Sequence, residues 1–168
     1  VGRAEDLPLA DASTDAAMTL LSLHHWESVE AGLREMQRVA RRRIVILTID
    51  PTVSGEMWLM ADYLTEVADR DHATMPSPAV IAQSINGRVE VVPVPADCQD
   101  GFLLAFWAHP EWVLDPAARA ATSGFALMPG TVVDRVTSAV AAHLASGEWD
   151  RRYGHLRTLE SYDAGLRL

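Results

Sequence analysis

The sequence has 168 residues, of which 49% are hydrophobic and 22% charged, and its formal net charge is −9. This length fits one globular domain, predicted over residues 1–168, and the negative charge argues against a nucleic acid partner. The chain lacks lysine, which excludes Schiff-base chemistry, and its single cysteine, Cys98, excludes an internal disulfide.

No apolar run is long enough to span a bilayer. We therefore expect a cytoplasmic protein without a membrane partner. The negative charge does not exclude a neutral or cationic small molecule as a ligand.

The first predicted elements are a strand, a helix and a second strand. Ala16–Ser22 is small and apolar throughout, which predicts a strand that is covered on both faces. Apolar residues recur at helical spacing over Glu27–Arg43, so an amphipathic helix is predicted there, with Arg41–Arg43 at its end. Arg43–Asp50 is rich in β-branched residues and predicts a second buried strand. This order predicts a parallel sheet with helices on its faces.

The rest of the chain predicts mostly helices. They are expected over residues 56–69, 77–87 and 115–126. Thr131, with Asp134 three residues later, is expected to cap a further helix that ends at Gly147. Arg88–Pro95 alternates valine with glutamate or proline and predicts a strand near a sheet edge. The terminal YDAGLRL predicts a last strand.

Two stretches of the sequence carry a family resemblance. The loop GRAEDLP, Gly2–Pro8, is followed by Asp11 and Asp15, and the predicted strand ends in LHHW, Leu23–Trp26. This pattern resembles the loop GxAExLPxxDxxFD and the fourth strand of class I S-adenosylmethionine-dependent methyltransferases. Val92–Pro116 is similar to a bacterial subgroup of that family, the type 11-like methyltransferases, and so is the terminal YDAGLRL. The resemblance covers essentially the whole chain.

The resemblance implies the α/β fold class. The expected architecture is a partial Rossmann-like doubly wound sheet, made of strands four to seven of a class I methyltransferase, with the first three strands absent. Members of the family hold the methionine end of the cofactor against a glycine-rich first loop, whereas this chain contains no GxG motif. We therefore expect the chain to be the C-terminal part of a methyltransferase domain, and to be incomplete and inactive alone.

The resemblance also implies a cofactor, S-adenosyl-L-methionine, and residues that would contact it. The candidate cofactor-binding residues are Ala4, Glu5, Ser22 and Leu23. Arg3 stands where the family often has an Asp that accepts from the adenine amino group, so the backbone N–H of Ala4 is the remaining candidate there. Whether this fragment binds the cofactor stays open.

His24 and His25 are the candidate catalytic residues, because a histidine at the carboxyl end of a parallel strand lies where ligands of open α/β sheets bind. The alternative interpretation, which we favour, is that His25 and Trp26 form a wall of the pocket. No metal site is predicted, since adjacent side chains diverge.

The candidate acceptor contacts are Trp26, Trp58, Tyr63, Asp97 and Asp100. The alternative for Trp58 and Tyr63 is a place in the core, because aromatic residues at helical spacing usually pack there. The alternative for Asp97 and Asp100 is a turn in which their side chains bond their own backbone.

Two functions remain open from the sequence. In the first, the parent protein transfers a methyl group to a small molecule, with O-, N- and C-methylation all possible. In the second, the chain is a truncated, non-catalytic remnant that acts as a dimeric structural or interaction protein. In both cases the absence of the first three strands would leave Ala16–Ser22 with an exposed apolar edge, and we expect a homodimer to cover it.

Overall fold

The computed structural model describes residues 2–168. Its strands are β1 Thr14–Leu20, β2 Ala40–Ile49, β3 Val94–Pro95, β4 Ser161–Tyr162 and β5 Leu166–Arg167. Its α-helices are α1 Val29–Val39, α2 Pro51–Gly55, α3 Trp58–Asp62, α4 Thr65–Thr74, α5 Pro78–Ser84, α6 Pro116–Ala120, α7 Ser123–Ala126, α8 Gly130–Ala145 and α9 Glu148–Tyr153. Short 3-10 helices cover Leu23–His25, Leu103–Ala108, Pro110–Leu114 and Gly154–Thr158.

The backbone packs as two units. The first contains the chain up to Pro51, Asp71–Val92 and Leu166–Leu168, and the second contains Thr52–Arg70 and Pro93–Gly165. The single domain over residues 1–168 stays a prediction.

The predicted strand-helix-strand order is confirmed in the first unit, where β1 and β2 are parallel and α1 connects them. The hydroxyl of Ser28 accepts a hydrogen bond from the backbone N–H of Ala31 at 3.2 Å and so caps α1. The antiparallel strand β5 pairs with β2 through Thr48 and Ile49, which makes the sheet mixed, in the order β1-β2-β5. The fold is therefore α/β with helices beside a mixed sheet.

The prediction that Arg41–Arg43 end the helix is wrong. Helix α1 ends at Val39, where Ala40 turns to an extended conformation, and the three arginines lie in β2. The pairing explains this boundary, since β1 pairs from Thr14 with Ala40 and from Ala16 with Arg43, with a bulge between them. Arg41 bonds Asp15 across the bulge at 2.8 Å, so its charge is satisfied within the sheet.

The prediction that the first strand is covered on both faces is also wrong. β1 begins two residues earlier than predicted and lies at an edge of the described sheet. One face, with Ala17 and Thr19, packs inward, whereas Met18 and Leu20 on the other face are 66% and 52% exposed. The apolar run reflects a face that nothing within residues 2–168 covers.

The core of the first unit lies between the sheet and two helices. Its buried residues are Leu23, Leu33, Met36, Ile46 and Ile81. The predicted helix 77–87 is confirmed as α5, because Ser77 caps it and Pro78 occupies its first turn.

The strand predicted over Arg88–Pro95 is present only in pieces. Glu90 exchanges two backbone hydrogen bonds with Leu168, at 2.6 and 2.9 Å, and Val92 donates one to Leu166. Val94 and Pro95 form β3, which pairs with β4. The prolines remove N–H donors that a continuous strand would need.

The helix predicted over residues 56–69 is wrong, since α3 and α4 replace it. Trp58, Leu59, Met60, Tyr63 and Leu64 are all at most 3% exposed, a run that no single helix face can accommodate. The predicted helix over residues 115–126 divides in the same way into α6 and α7. Helix α8 ends near Gly147, whose φ is 72°, as predicted, but Pro129 rather than Thr131 precedes its first turn.

The second unit packs around aromatic side chains. Trp58 makes edge contacts with Tyr63 and Trp149, at ring-centroid distances of 5.6 and 5.5 Å. Trp107 stacks on Tyr162 at 5.4 Å. Such contacts add about 0.5–1.5 kcal/mol per pair beyond the burial of apolar area.

Within residues 2–168, none of the helices has the length and apolar character of a membrane span.

Replacement of Leu64 by Ala tests the burial of the segment between α3 and α4. Leu64 is fully buried, so the variant should lose about 2–5 kcal/mol of unfolding free energy in urea titrations followed by tryptophan fluorescence. Leu127→Ala is the matched control, because Leu127 is 66% exposed and should change that free energy by less than about 0.5 kcal/mol. Equal losses in both variants would contradict the described packing.

Candidate functional site

The N-terminal loop is held against α1 by Arg38. Its guanidinium donates to the carbonyl oxygens of Leu9, at 2.7 Å, and Leu7, at 3.0 Å, and to the Asp11 carboxylate at 2.7 Å. It also donates two hydrogen bonds of 2.7 Å to the carboxylate of Glu35, one turn away on the same helix. One side chain therefore fixes three points of a loop that has little regular structure.

Glu35 completes this contact. Besides the two bonds from Arg38, its carboxylate accepts a hydrogen bond from the backbone N–H of Leu7 at 2.8 Å. The hydrogen bonds from Arg38 and Leu7 lower the pKa of Glu35 from its ordinary value of 4.5 to about 2. The same carboxylate, with Asp11, raises the pKa of Arg38. The pair stays ionised throughout the neutral range.

A groove of about 220 Å³ lies in the first unit between this loop, β1 and α1. The loop contributes Ala4 and Leu7, the strand contributes Ala17, and the helix side contributes Met36 and Trp26. The walls are therefore mainly apolar and include one aromatic plane. Two of the predicted site residues, Ala4 and Trp26, meet at this groove.

Glu5 ties the loop to the start of α1. Its carboxylate accepts a hydrogen bond from the backbone N–H of Ser28 at 3.1 Å and lies 3.8 Å from the guanidinium of Arg3. The bond from Ser28 is the main reason that the pKa of Glu5 is lowered. This position gives Glu5 a structural contact, and its predicted role with a cofactor stays a prediction.

The segment after β1 is a tight turn rather than a continuation of the strand. Leu21 adopts a positive φ of 47°, and the 3-10 turn Leu23–His25 follows. The hydroxyl of Ser22 is hydrogen bonded to that of Thr19, and Leu23 is buried in the core. Both residues were predicted to contact the cofactor, and that prediction remains untested.

His24 and His25 are both exposed in this turn, with ring centroids 4.0 Å apart. Trp26 follows and lies over Gly32 of α1. A Cβ on residue 32 would collide with the six-membered ring of the Trp26 indole. The small residue on the helix therefore sets the position of the groove's aromatic wall. The catalytic role of the histidines stays a prediction.

Trp58 and Tyr63 lie in the core of the second unit, 2% and 3% exposed. The indole N–H of Trp58 donates to the carbonyl oxygen of Trp107 at 3.0 Å. The phenol of Tyr63 is hydrogen bonded to Nδ1 of His143 at 2.7 Å, and burial raises its pKa. These contacts favour the packing alternative, and contact with an acceptor stays a prediction for both residues.

Asp97 and Asp100 are exposed in a loop of the second unit. Between them Cys98 is half-buried, with its thiol 3.9 Å from the carbonyl oxygen of Asp100. These distances do not test the predicted contact of Asp97 and Asp100 with a methyl acceptor. Among residues 2–168, no three side chains of the kinds that bind metals lie together.

The sequence interpretation missed three residues that hold the walls of the groove in place, Glu35, Arg38 and Gly32. Glu35 and Arg38 carry a signal, since an acidic and a basic residue three positions apart on a helix lie side by side. Gly32 carries a weaker signal, because glycine inside a predicted helix often marks a close approach.

Comparison with known proteins identifies the family of the segment that forms the groove. Residues 1–47, which contain the loop, β1, the histidine turn, α1 and most of β2, match the family model described as "Methyltransferase domain". A 62-residue stretch is 36% identical to the uncharacterized protein YafE of Escherichia coli K12, covering 34% of this chain and 30% of YafE. The chain thus spans under a third of that curated relative.

A solved structure matches over nearly the whole chain. It is the crystal structure described as a "Putative methyltransferase from antibiotic biosynthesis pathway" of Anabaena variabilis ATCC 29413. The sequences are 34% identical, the TM-score is 0.88, and the match covers 99% of this chain and 70% of that chain. The chain belongs to the class I S-adenosylmethionine-dependent methyltransferases, as its loop and LHHW turn predict.

The Glu35–Arg38 contact predicts that the stability of the folded state depends measurably on pH. The ionised Glu35 carboxylate stabilises the folded state above its unfolded pKa of 4.5, and that stabilisation is lost as the pH falls through about 2. Glu35→Gln removes this ionisation, so its urea midpoint should fall less steeply than that of the wild type between these two pH values. Glu30→Gln, on the exposed side of α1, should keep the wild-type slope. A wild-type slope in Glu35→Gln would disprove the assignment.

Proposed function

We propose that the protein transfers a methyl group from S-adenosylmethionine to a small molecule, and that this chain supplies the adenine side of the cofactor site. The groove between the loop, β1 and the Trp26 turn carries this proposal, because it is built entirely from the segment that the methyltransferase family model matches. Bound S-adenosylmethionine supplies an activated methyl group on a sulfonium, which an acceptor takes by in-line displacement.

The sheet order supports a partial Rossmann-like assignment. In this assignment β1 and β2 are the fourth and fifth strands of the family, Glu90–Val92 belongs to the sixth, and β5 is the seventh. The backbone hydrogen bonds that Glu90 and Val92 make with the last three residues support the place of the sixth strand next to the seventh. The first three strands would then come from sequence outside these 168 residues.

The residues present fit one end of the cofactor. Apolar walls and an indole plane suit a flat adenine ring, and Ala4, whose backbone N–H is the candidate contact for adenine, lines the groove. The groove, at about 220 Å³, is smaller than the roughly 300–1,000 Å³ of typical ligand sites. The sequence has no GxG motif to receive the methionine end. The chain alone therefore lacks what a complete site needs, and we propose that it is inactive by itself.

Within the proposed site the main task of the chain's residues is to bind and orient the reactants. Trp26 would form the wall against the adenine side, and the exposed His24 and His25 would stand at the mouth as wall or as base. Desolvation and alignment of the two reactants supply most of the rate in a displacement of this kind. Trp58, Tyr63, Asp97 and Asp100 remain candidates for acceptor contacts.

Calorimetry with S-adenosylmethionine tests the proposal on two proteins. The 168-residue chain should show no saturable binding, whereas the product of a longer reading frame that contains this chain and a glycine-rich first loop should bind it at one site. In the longer protein Trp26→Ala should weaken binding about tenfold, since stacking on an aromatic plane contributes about 1–3 kcal/mol. No binding by the longer protein would refute the proposal.

A second candidate function is favoured by the exposed face and edge of β1. A strand that pairs on one side and presents Met18 and Leu20 to solvent is a template for pairing with another chain. We propose as the alternative that the chain is a non-catalytic remnant, in which β1 of a second copy pairs with β1 across a two-fold axis.

Sedimentation velocity over a range of concentrations tests this alternative. A dimer is expected for the wild type, and Met18→Lys should give a monomer because a charge at the pairing strand opposes association. Leu127→Lys, at an equally exposed leucine in the second unit, should remain a dimer. A wild type that is monomeric at all concentrations would eliminate the dimer.

A further inference from the structure

Both walls of the groove are attached to the start of α1. One wall is the loop at Ala4, and the other is the indole of Trp26. The loop is attached through Glu5, which accepts a hydrogen bond from Ser28, and the indole lies on Gly32. The distance between the two walls, where a flat ring would bind, therefore depends on this one segment of helix.

The contact between Trp26 and Gly32 leaves no room for a side chain at position 32. A Cβ there would lie 2.5 Å from Cζ3 of the indole and closer still to Cε3. Because carbon atoms in contact stay about 3.5 Å apart, an added methyl group would displace the indole by about 1 Å. Alanine forms helices more readily than glycine, so this glycine serves the contact with Trp26 rather than the helix.

The backbone on both sides of this contact is fixed, so the indole is the part that moves. The N–H of Gly32 donates to the carbonyl oxygen of Ser28 at 3.0 Å. The N–H of Trp26 donates to the carbonyl oxygen of Leu23 at 3.1 Å. Leu23 and Leu33 are 2% and 4% exposed and anchor the two segments in the core of the unit. A displaced indole therefore changes the groove while the unit stays folded.

The opposite wall is held by the side chain of Glu5. Ala4 and Glu5 are the central residues of a turn, so whatever holds Glu5 also holds Ala4. The turn is closed by a hydrogen bond of 3.2 Å from the N–H of Asp6 to the carbonyl oxygen of Arg3. The carboxylate of Glu5 accepts from the N–H of Ser28 at 3.1 Å, and its side chain is only 18% exposed.

Glu5 and Gly32 act on the groove from outside it. Neither is among the described residues that line the groove, so each acts on a ligand through the wall that it holds. A second contact of the turn, between Arg3 and Glu27, joins two exposed side chains, and such pairs contribute little. Glu5 is therefore the main attachment of the Ala4 turn to the start of α1.

We propose that Glu5 and Gly32 are positioning residues of the cofactor site, which set the gap between Ala4 and Trp26 and thereby the affinity for the adenine ring. Gly32 acts through the indole, and Glu5 acts through the turn. These roles rest on the proposed function of the groove. They give Glu5 an indirect part in binding, in place of the direct cofactor contact that the sequence predicts.

Calorimetric titration with S-adenosylmethionine tests the role of Gly32 in the longer protein that contains this chain and a glycine-rich first loop. Gly32→Ala should weaken binding about three- to tenfold, because a shift of about 1 Å removes much of the contact with a stacked ring. Gly130→Ala is the matched control, since a Cβ on this helical glycine meets no atom within 4 Å. No binding by the wild type would refute the proposed function and these roles with it. Wild-type binding that Gly32→Ala leaves unchanged would overturn the role of Gly32 alone.

A double-mutant cycle separates positioning from a general loss of structure. In the Trp26→Ala background, Gly32→Ala should have no further effect on binding, because no indole remains to be displaced. Glu5→Ala should weaken binding by a similar factor in both backgrounds, since it acts on the other wall. Additive losses from Gly32→Ala and Trp26→Ala would contradict an action through the indole.

Substitutions in the Ala4 turn test Glu5 in the same titration. Glu5→Ala removes the acceptor of the Ser28 N–H and should weaken binding about three- to tenfold. Glu5→Gln keeps a carbonyl oxygen as acceptor and should restore most of the affinity. Asp6→Ala, which removes an exposed carboxylate from the same turn, should bind like the wild type. Equal losses in Glu5→Ala and Glu5→Gln, or an equal loss in Asp6→Ala, would overturn the role of Glu5.

The contact between Gly32 and Trp26 is measurable without the cofactor. In the 168-residue chain labelled with 7-fluorotryptophan, Gly32→Ala should shift the fluorine resonance of Trp26, which Trp26→Phe identifies by its loss. An unchanged Trp26 resonance would overturn the contact. If Gly32→Ala fails to fold, as judged by circular dichroism, a folded double variant with Trp26→Ala would assign the failure to the indole. A double variant that is unfolded as well would overturn the role of Gly32.

Discussion

The groove of the first unit depends on one ionic contact, between Arg38 and Glu35 of α1. Arg38 bonds Leu7, Leu9 and Asp11 of the N-terminal loop, and Glu35 accepts from Leu7, so the loop has a fixed course before it enters β1. Charge-assisted bonds of this kind are about twice as strong as neutral ones, and here they act at half-buried positions. Without them the loop from Leu7 to Asp11 would lose its attachment to the middle of α1, and the bond between Glu5 and Ser28 would remain to hold the part near Ala4.

The same segment shows what local sequence could predict. The order of β1, α1 and β2 and their parallel pairing followed from apolar patterns, because strands and helices have different periodicities. The boundary at Arg41–Arg43 did not follow, since it depends on the bulge opposite Asp15. The exposure of Met18 and Leu20 also depends on which elements lie nearby, and an apolar run alone cannot specify its neighbours. The broken helices after Met57 have the same cause, because buried residues on every side require short, separately oriented turns.

The candidate site also contains residues that the sequence could predict and residues that it could not. The loop motif and the LHHW turn identified the family, and the structure places Ala4 and Trp26 on one groove. Trp58 and Tyr63, in contrast, have indole and phenol groups that bond Trp107 and His143, contacts between residues 49 and 80 positions apart. No short-range pattern encodes such pairs. Sequence reasoning found the motif residues and missed Arg38, whose importance comes from three backbone and side-chain partners about thirty residues away.

The place of β5 in the chain has a consequence for biosynthesis. Thr48 pairs with Arg167, so the first unit is completed by residues that the ribosome adds only after all of the second unit. Pairings between distant residues carry a large entropic cost of loop closure and form slowly. During synthesis β2 therefore waits with an open edge while all of the second unit emerges. A nascent chain in this state resembles an aggregation-prone intermediate until β5 pairs with β2.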